Sequence, residues 1–160
     1  MKWREGSNMR PLKLVMNAFG PYKEKVMIDF TQFHQQTLFL VSGPTGAVKT
    51  TLFDAIAYAL YDDASGTSRG KDSFKSQFAT DEVLCFVELE FEITGKKYFI
   101  KRSPVQKGPG KNGKLKNWSS EVEFHHNGTV TTKINEANKE IQELLSLSYE
   151  QFKQIVMLPQ

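Results

Sequence analysis

The segment Gly43–Thr51, with the sequence GPTGAVKTT, restricts the fold of this chain more than any other stretch. It follows the apolar run Leu38–Val41 and precedes apolar residues at helical spacing. A strand, a glycine-rich loop and a helix in that order form a phosphate-binding loop, whose pattern is G-x-x-x-x-G-K-[ST]. The consecutive apolar positions indicate a strand at 37–43 that is buried on both faces, as in a parallel sheet. The sequence therefore predicts an α/β fold of the P-loop NTPase type.

The residues of this loop have separate expected roles. Backbone N–H groups of such a loop surround phosphates, and the helix N-terminus adds partial positive charge. Lys49 is expected to reach the β- and γ-phosphates, and the Thr50 hydroxyl to ligate Mg²⁺. The other candidate residues for binding the cofactor, ATP with Mg²⁺, are Gly43, Pro44, Thr45, Gly46, Ala47, Val48 and Thr51.

Val48 stands where the pattern has glycine. Glycine is used where the backbone needs a positive φ or approaches a ligand closely, and a β-branched residue suits neither. Strain of roughly 1–3 kcal/mol follows if a positive φ is required. That strain lowers affinity by about 10-fold to several hundred-fold. We expect weak or absent ATP binding; the alternative is that the loop relaxes around Val48 with little loss.

Composition narrows the class of protein. The chain has 160 residues, of which 39% are hydrophobic and 24% charged, as in one soluble globular domain. Its single cysteine, Cys85, cannot form a disulfide within the chain and is expected in the core. No apolar run approaches the roughly 18 residues that span a membrane, and Met1–Asn8 has no apolar signal-peptide core. The cytoplasm is the expected location.

Residue patterns predict the remaining elements. Strands are expected at 11–18, 25–30, 83–93, 97–103, 118–125 and 128–132, and helices at Thr51–Tyr61, Ile134–Leu145 and Tyr149–Val156. Turns are expected at Gly95-Lys96 and Asn127-Gly128, a long loop at 104–117, a short helical turn near Phe74–Phe78, and an N-cap at Ser148.

Alternation along the strands assigns their faces. Glu88, Glu90 and Glu92 alternate, which predicts a solvated strand face rather than a Walker B carboxylate. The aromatic residues expected to line the inside of this sheet are Phe91, Phe99 and Phe124. His34, His125 and His126 lack cysteine or carboxylate partners at metal-ligand spacing, so no zinc site is expected.

Basic residues are concentrated between Gly95 and Asn117, where no acidic residue occurs. The eight basic residues of this segment are Lys96, Lys97, Lys101, Arg102, Lys107, Lys111, Lys114 and Lys116. Such a segment suits the phosphate backbone of double-stranded DNA. The alternative is a solvated, disordered loop, because glycine and lysine also favour disorder.

Three stretches carry a resemblance to a known family: LKLVMNAFGPYKEKVMIDF, FLVSGPTGAVKTTLFDAIAYALY and LSLSYEQFKQIVMLPQ. Together they resemble SbcC, the ATPase subunits of bacterial SbcCD DNA nucleases, which are SMC-like DNA-repair ATPases. The resemblance covers about Met9 to Gln160. It implies the N-terminal lobe of an ABC-type ATPase head, with a mixed sheet and an antiparallel β subdomain. Met1–Asn8 are expected to be a leader or an expression remnant.

The resemblance also implies partners and site residues. Gln160 matches the Q-loop glutamine, which senses Mg²⁺ and the γ-phosphate. Asn17 lies where the N-terminal strand pair of the family approaches the nucleotide; the alternative is an ordinary hairpin. The implied partners are the C-terminal head lobe and a separate nuclease subunit, and the implied activity of the whole complex is ATP-controlled double-strand DNA processing in repair and recombination.

The chain alone is expected to be inactive as an ATPase, because the matched lobe lacks the Walker B carboxylates and the signature motif. The alternative function is a non-enzymatic fragment that binds DNA or a partner and has lost ATP binding. An isolated lobe would leave apolar surface open and is expected to self-associate.

Overall fold

A computed structural model of the chain describes residues 9–33, 46–62 and 74–156. Its strands are β1 (Met9–Asn17), β2 (Val26–Asp29), β3 (Phe86–Ile93), β4 (Lys96–Ser103), β5 (Gln106–Pro109), β6 (Leu115–Trp118), β7 (Glu121–His126) and β8 (Thr129–Thr131). Its helices are α1 (Gly46–Tyr61), α2 (Ile134–Leu145) and α3 (Tyr149–Val156), with 3₁₀ turns at Phe30–Phe33 and Lys111–Gly113. The strand predicted at 37–43 lies outside the described residues.

Six strands form one sheet in the order β2-β1-β3-β4-β7-β8, and β5 and β6 form a separate two-stranded ribbon. Every pairing among the described strands is antiparallel. The antiparallel sheet of the expected fold is therefore present. The mixed sheet remains a prediction, because its parallel strand would come from residues 37–43.

The core lies between one face of the sheet and the helices. Leu14, Leu89 and Ile100 are fully buried on this face, α1 packs on β3 and β4, and α2 packs on β7. Apolar residues surround α1 on nearly all sides, and all but one of the residues from Thr51 to Leu60 are buried. The helix that begins in the glycine-rich segment is thus held inside the fold.

One aromatic residue lies on the other face of the sheet from the one predicted. Phe91 and Phe124 are buried as expected, with Tyr98 stacked between them at ring distances of 5.4 and 6.3 Å. Phe99 instead lies on the opposite face, where its ring meets His125 edge-on at 5.3 Å. Since successive side chains of a strand alternate between faces, burial of Tyr98 forces Phe99 outward.

The same outward face carries the alternating glutamates, as predicted. Lys101 lies 3.7 Å from Glu88, and Arg10 lies 3.2 Å from Glu92. Glu90 is exposed. Because these carboxylates face away from α1, they are far from the helix end at which a phosphate would bind.

Local turn and helix signals are mostly confirmed. Asn127 and Gly128 form the β7–β8 turn with φ values of 48° and 74°. The other hairpin turn lies one residue earlier than predicted, at Thr94-Gly95, with φ values of 50° and 80°. The short helical turn predicted near Phe74–Phe78 is only partly present: Lys75 pairs with Phe19 in an antiparallel bridge, and a turn follows in which the Ala79 N–H donates to the Ser76 carbonyl at 3.1 Å.

The long loop predicted at 104–117 is also wrong. Residues Gln106–Pro109 and Leu115–Trp118 pair as strands β5 and β6, in register from Gln106 with Trp118 to Pro109 with Leu115. The glycines and lysines of this segment have low strand propensity, so the local sequence indicated a loop. Contacts with distant residues, described below, stabilise the ribbon.

Among the described residues, no helix combines the length and the apolar character needed to cross a lipid bilayer.

Candidate nucleotide-binding site and basic ribbon

Helix α1 begins at Gly46, inside the glycine-rich segment and earlier than the predicted start at Thr51. Ala47, Val48, Lys49 and Thr50 therefore have helical backbone. The first N–H groups of an α-helix have no partner within the helix and form a ready site for an anion. The sequence thus brings a lysine and a threonine to the helix end that attracts phosphate, while Gly43, Pro44, Thr45 and Gln160 lie outside the described residues.

The helical backbone changes the argument about Val48. A residue inside a right-handed helix has a negative φ, so the strain that was expected from a positive φ does not arise at this position. What remains of the prediction is close approach: glycine at this position of the pattern lets phosphate contact the backbone, and valine is larger than glycine. That effect on ATP binding stays a prediction.

The turn after β1 packs against the beginning of α1. Ala18 and Gly20 have positive φ values of 51° and 59°. A Cβ atom on Gly20 would lie 3.2 Å from the Cγ2 atom of Thr51, so glycine is needed both for backbone conformation and for space. Thr51 is only 7% exposed. This contact places the turn beside the residues that follow Lys49 and Thr50.

Asn17, the last residue of β1, has a structural partner. Its Nδ2 atom donates a hydrogen bond of 2.7 Å to the carbonyl oxygen of Leu84, and Asn17 pairs with Phe86 at the start of β3. The side chain therefore fixes the chain that leads into β3. Its role near a nucleotide remains a prediction.

A short segment at Phe74–Ser76 fixes the turn after β1 from the other side. Gly20 donates its N–H to the carbonyl of Phe74 at 2.9 Å, and Ser76 donates to Ala18 at 2.7 Å. The Phe74 ring lies 4.6 Å from that of Tyr58 in α1. Burial, followed by the nearby Asp62, raises the pKa of the Tyr58 hydroxyl. No alternation in the sequence signalled this pairing.

Arg102 is buried beneath α1 and is not available to DNA, so its place among the candidate DNA-binding residues was wrong. The side chain is 1% exposed. Its Nε atom donates to the carbonyl of Ala59 at 2.7 Å, and its Nη2 atom donates to the Oδ1 atom of Asn138 at 2.6 Å. Burial lowers the pKa of the guanidinium, and the Asp62 carboxylate opposes that shift. Alternation with the buried Tyr98 and Ile100 was the sequence signal for this orientation.

The β5–β6 ribbon is anchored to the body of the fold by its inner face. The amide of Gln106, 8% exposed, accepts from the Cys85 N–H at 2.7 Å and donates to the Cys85 carbonyl at 2.9 Å. Gly108 is so close to Leu84 that an added Cβ atom would lie 2.4 Å from its Cδ2 atom. Lys75 adds a hydrogen bond of 2.8 Å to the carbonyl of Lys107. The Gln106 amide thus takes the place of a neighbouring strand.

Four exposed lysines lie along this anchored ribbon: Lys107, Lys111, Lys114 and Lys116. The Nζ atom of Lys116 lies 3.7 Å from the ring centroid of Trp118, and the indole N–H donates to the Pro109 carbonyl at 3.1 Å. The remaining lysines of the basic segment belong to β4, where Lys101 faces Glu88. Among the described residues, no salt bridge involves any of the four ribbon lysines.

Cys85 and the described histidines have local structural roles. Cys85 is fully buried, and that burial raises the pKa of its thiol to about 12. His125 contacts Glu123 at 2.8 Å, and His126 contacts Glu140 at 2.9 Å. In the part of the chain that the structure describes, no group of three His, Cys, Asp or Glu side chains could hold a metal ion.

Comparison with known proteins decides the family. The family described as AAA domain matches residues 13–160. The chain belongs to this AAA domain family. The match spans the glycine-rich segment, α1, the antiparallel sheet from β3 onward and the ribbon.

The chain is also similar to several proteins named as the SbcC subunit of the nuclease SbcCD. It is 40% identical over 158 residues to the protein of Vibrio cholerae serotype O1. The alignment covers 95% of this chain and 16% of that protein. It is 40% identical to the protein of Staphylococcus haemolyticus and 37% identical to that of Lactococcus lactis, each over 95% of this chain and 15% of the relative. The resemblance to SbcC is confirmed, and the chain spans about a sixth of the length of these relatives.

Proposed function

We propose that residues 9–160 form the N-terminal lobe of an ABC-type ATPase head and supply part of an ATP site. The observation that carries the proposal is the start of α1 at Gly46, within a phosphate-loop pattern, in a chain of the AAA domain family. In this proposal the N–H groups of 43–51 surround the phosphates, and Lys49 neutralises their charge. Thr50 and Gln160 hold Mg²⁺, and Asn17 lies near the nucleotide.

The residues present fit ATP and Mg²⁺, with one exception. A helix N-terminus, a lysine and a threonine hydroxyl are the groups that such a cofactor requires. Val48 is the exception, and we propose that it weakens binding by obstructing the approach of phosphate to the backbone. The bound cofactor would supply a γ-phosphate, whose presence or absence can control the assembly of two lobes.

We propose further that this chain alone does not hydrolyse ATP. Hydrolysis requires a group that orients the attacking water. Glu88, Glu90 and Glu92 are the carboxylates nearest to a Walker B pattern, and they face away from α1. The chain would thus hold nucleotide without turning it over.

The activity of a longer protein is proposed from its relatives. Several relatives are named as SbcC subunits of the nuclease SbcCD, which favours an ATPase subunit of an ATP-dependent DNA exonuclease and endonuclease in repair and recombination. The partners in that proposal are the C-terminal head lobe and a nuclease subunit, in the cytoplasm. Met1–Asn8 lie outside the proposed lobe.

The second possibility is a DNA- or partner-binding fragment without ATP binding. In either case, an isolated lobe is expected to self-associate.

Calorimetric titration with ATP and Mg²⁺ tests the proposed site, with Lys49→Ala as the matched control. We expect binding weaker than low micromolar, reduced further in the control because Lys49 no longer neutralises phosphate charge. Equal binding by both proteins would show that ATP does not use this loop. Low-micromolar affinity of the unchanged chain would show that Val48 does not obstruct the site.

A second candidate function is DNA binding by the β5–β6 ribbon. Four exposed lysines and no acidic residue lie between Pro104 and Trp118. The anchor through Gln106 holds the backbone of the ribbon in place, so less backbone freedom is lost on binding. A basic ribbon of this kind neutralises DNA phosphates, and its binding weakens as salt concentration rises.

Replacement of Lys107, Lys111, Lys114 and Lys116 together by serine tests this candidate. We expect weaker binding of a short duplex at low salt and a log–log salt slope that is less steep by about 3 to 4, because each lysine displaces roughly one counterion. Fluorescence anisotropy across a salt series measures both quantities. An unchanged slope would mean that the four lysines are merely solvated.

A further inference from the structure

We propose that the β5–β6 ribbon enters the major groove of duplex DNA and that its apolar tip contacts base edges there. This inference rests on the proposed DNA binding by the ribbon lysines and adds the manner of recognition. It depends on which side chains share the free face of the ribbon, on the size of the ribbon, and on the composition of its tip.

The two faces of the ribbon differ in what they contact. In an antiparallel pair, directly opposed side chains lie on the same face. One face carries Gln106 and Gly108, which pack on Cys85 and Leu84. The opposite face carries Lys107, Pro109, Leu115 and Asn117, all of which are exposed. We call these four residues the free ribbon face.

The tip of the free ribbon face is apolar. Pro109 and Leu115 are the last register pair before the turn at Lys111–Gly113, and Leu115 is 48% exposed. An exposed leucine alone needs no explanation. Here it faces outward beside a proline, on the same face as Lys107, whereas Lys116 opposes Gly108 on the inner face. Binding of phosphates by Lys107 would therefore bring the apolar pair to the duplex.

The dimensions select the groove. Two paired strands lie about 4.8 Å apart, and side chains add to that width. The major groove, about 12 Å wide, admits a two-stranded ribbon, whereas the minor groove, about 6 Å wide, is too narrow. In the major groove the apolar pair would meet the C5-methyl group of thymine, and the amide of Asn117 would match the hydrogen-bonding edge of adenine.

The test combines a change in the protein with a change in the DNA. Leu115→Ser removes the apolar tip, and uracil in place of thymine removes the C5-methyl group without altering the protein. Anisotropy titrations use one A·T-rich duplex in its thymine and uracil forms. We expect Leu115→Ser to weaken binding of the thymine duplex about fourfold, the worth of one buried methyl group, with an unchanged salt slope. The uracil duplex should bind the unchanged chain equally weakly and be insensitive to Leu115→Ser.

Val130→Ser is the matched control, because Val130 has the same 48% exposure as Leu115 but lies in β8, outside the ribbon. It should leave both affinities unchanged. Groove entry is contradicted if the uracil and thymine duplexes bind alike while the variant with all four ribbon lysines replaced by serine still shows a less steep salt slope. The ribbon would then bind DNA through phosphate contacts alone. If the lysine variant keeps the slope of the unchanged chain, the proposed DNA binding fails, and groove entry fails with it.

Discussion

Replacement of Val48 by glycine is expected to raise the affinity of the chain for ATP with Mg²⁺ by about 10-fold to 150-fold, because one hydrogen bond from a backbone N–H to a charged phosphate contributes about 1.5–3 kcal/mol. The helical backbone at this position removes strain as the cause. The remaining proposed cause is the size of the residue, since Val48 belongs to the first turn of α1, whose N–H groups would contact the phosphate. Removing the side chain lets the phosphate contact the backbone, and calorimetric titration measures the gain.

The Val48→Ala variant separates two parts of this obstruction. If the γ-methyl groups block the phosphate, alanine recovers most of the affinity; if the Cβ atom itself blocks it, only glycine does. Glycine also weakens a helix, by about 1 kcal/mol relative to alanine and by roughly a few tenths of a kcal/mol relative to valine. The melting temperature of Val48→Gly should therefore fall while its affinity rises, which excludes general stabilisation as the cause of tighter binding. If both variants bind ATP as the unchanged chain does, while Lys49→Ala loses affinity, the loop already accommodates Val48.

Local signals in the sequence predicted the elements whose stabilising contacts are local. The Oγ atom of Ser148 caps α3 by accepting from the Gln151 N–H at 3.2 Å, and the Oε1 atom of Gln151 accepts from the Ser148 N–H at 2.9 Å. Both partners lie within one helical turn, so the four residues from Ser148 to Gln151 contain the whole signal. The Asn127-Gly128 turn is local in the same sense, because both residues tolerate the positive φ that the turn requires.

The ribbon was not predicted from the sequence because contacts with residues distant in the chain stabilise it. Gln106 bonds to Cys85, 21 residues earlier, and Lys75 bonds to Lys107, 32 residues later. Nothing in the sequence around Gln106 shows that its amide will replace a strand. A glycine at 108 looks like a loop residue until Leu84 is known to lie against it.

The sequence also did not determine which side chains of β4 face the core. Tyr98 and Phe99 are adjacent aromatic residues, so hydrophobicity does not say which of them lies inside. The rings of Phe91 and Phe124 decide it, since they stack on Tyr98 from both neighbouring strands. Because side chains alternate along the strand, burial of Tyr98 also places Arg102 on the inner face. Counting basic residues does not reveal that orientation. At the candidate site, Gly20 of the turn after β1 lies against Thr51 of α1.

Replacement of Arg102 by methionine is expected to lower the free energy of unfolding by about 3 kcal/mol. The change leaves the Ala59 carbonyl and the Asn138 side chain without their charged donor. Ala59 lies in the last turn of α1, where the carbonyl groups lack partners within the helix. That turn contains no basic residue, so Arg102 of β4 supplies the positive charge that the C-terminal end of the helix dipole favours.

Urea denaturation followed by circular dichroism measures this loss, with two variants for comparison. Lys101→Met changes the neighbouring residue on the outward face, where an exposed ion pair with Glu88 contributes at most about 1 kcal/mol. Arg102→Lys keeps the charge but loses the planar fork that reaches Ala59 and Asn138 together, so its stability should fall between the other two. If Arg102→Met were as stable as Lys101→Met, apolar packing would replace the buried cation fully. Helix α1 would then be held against β4 by its apolar faces alone.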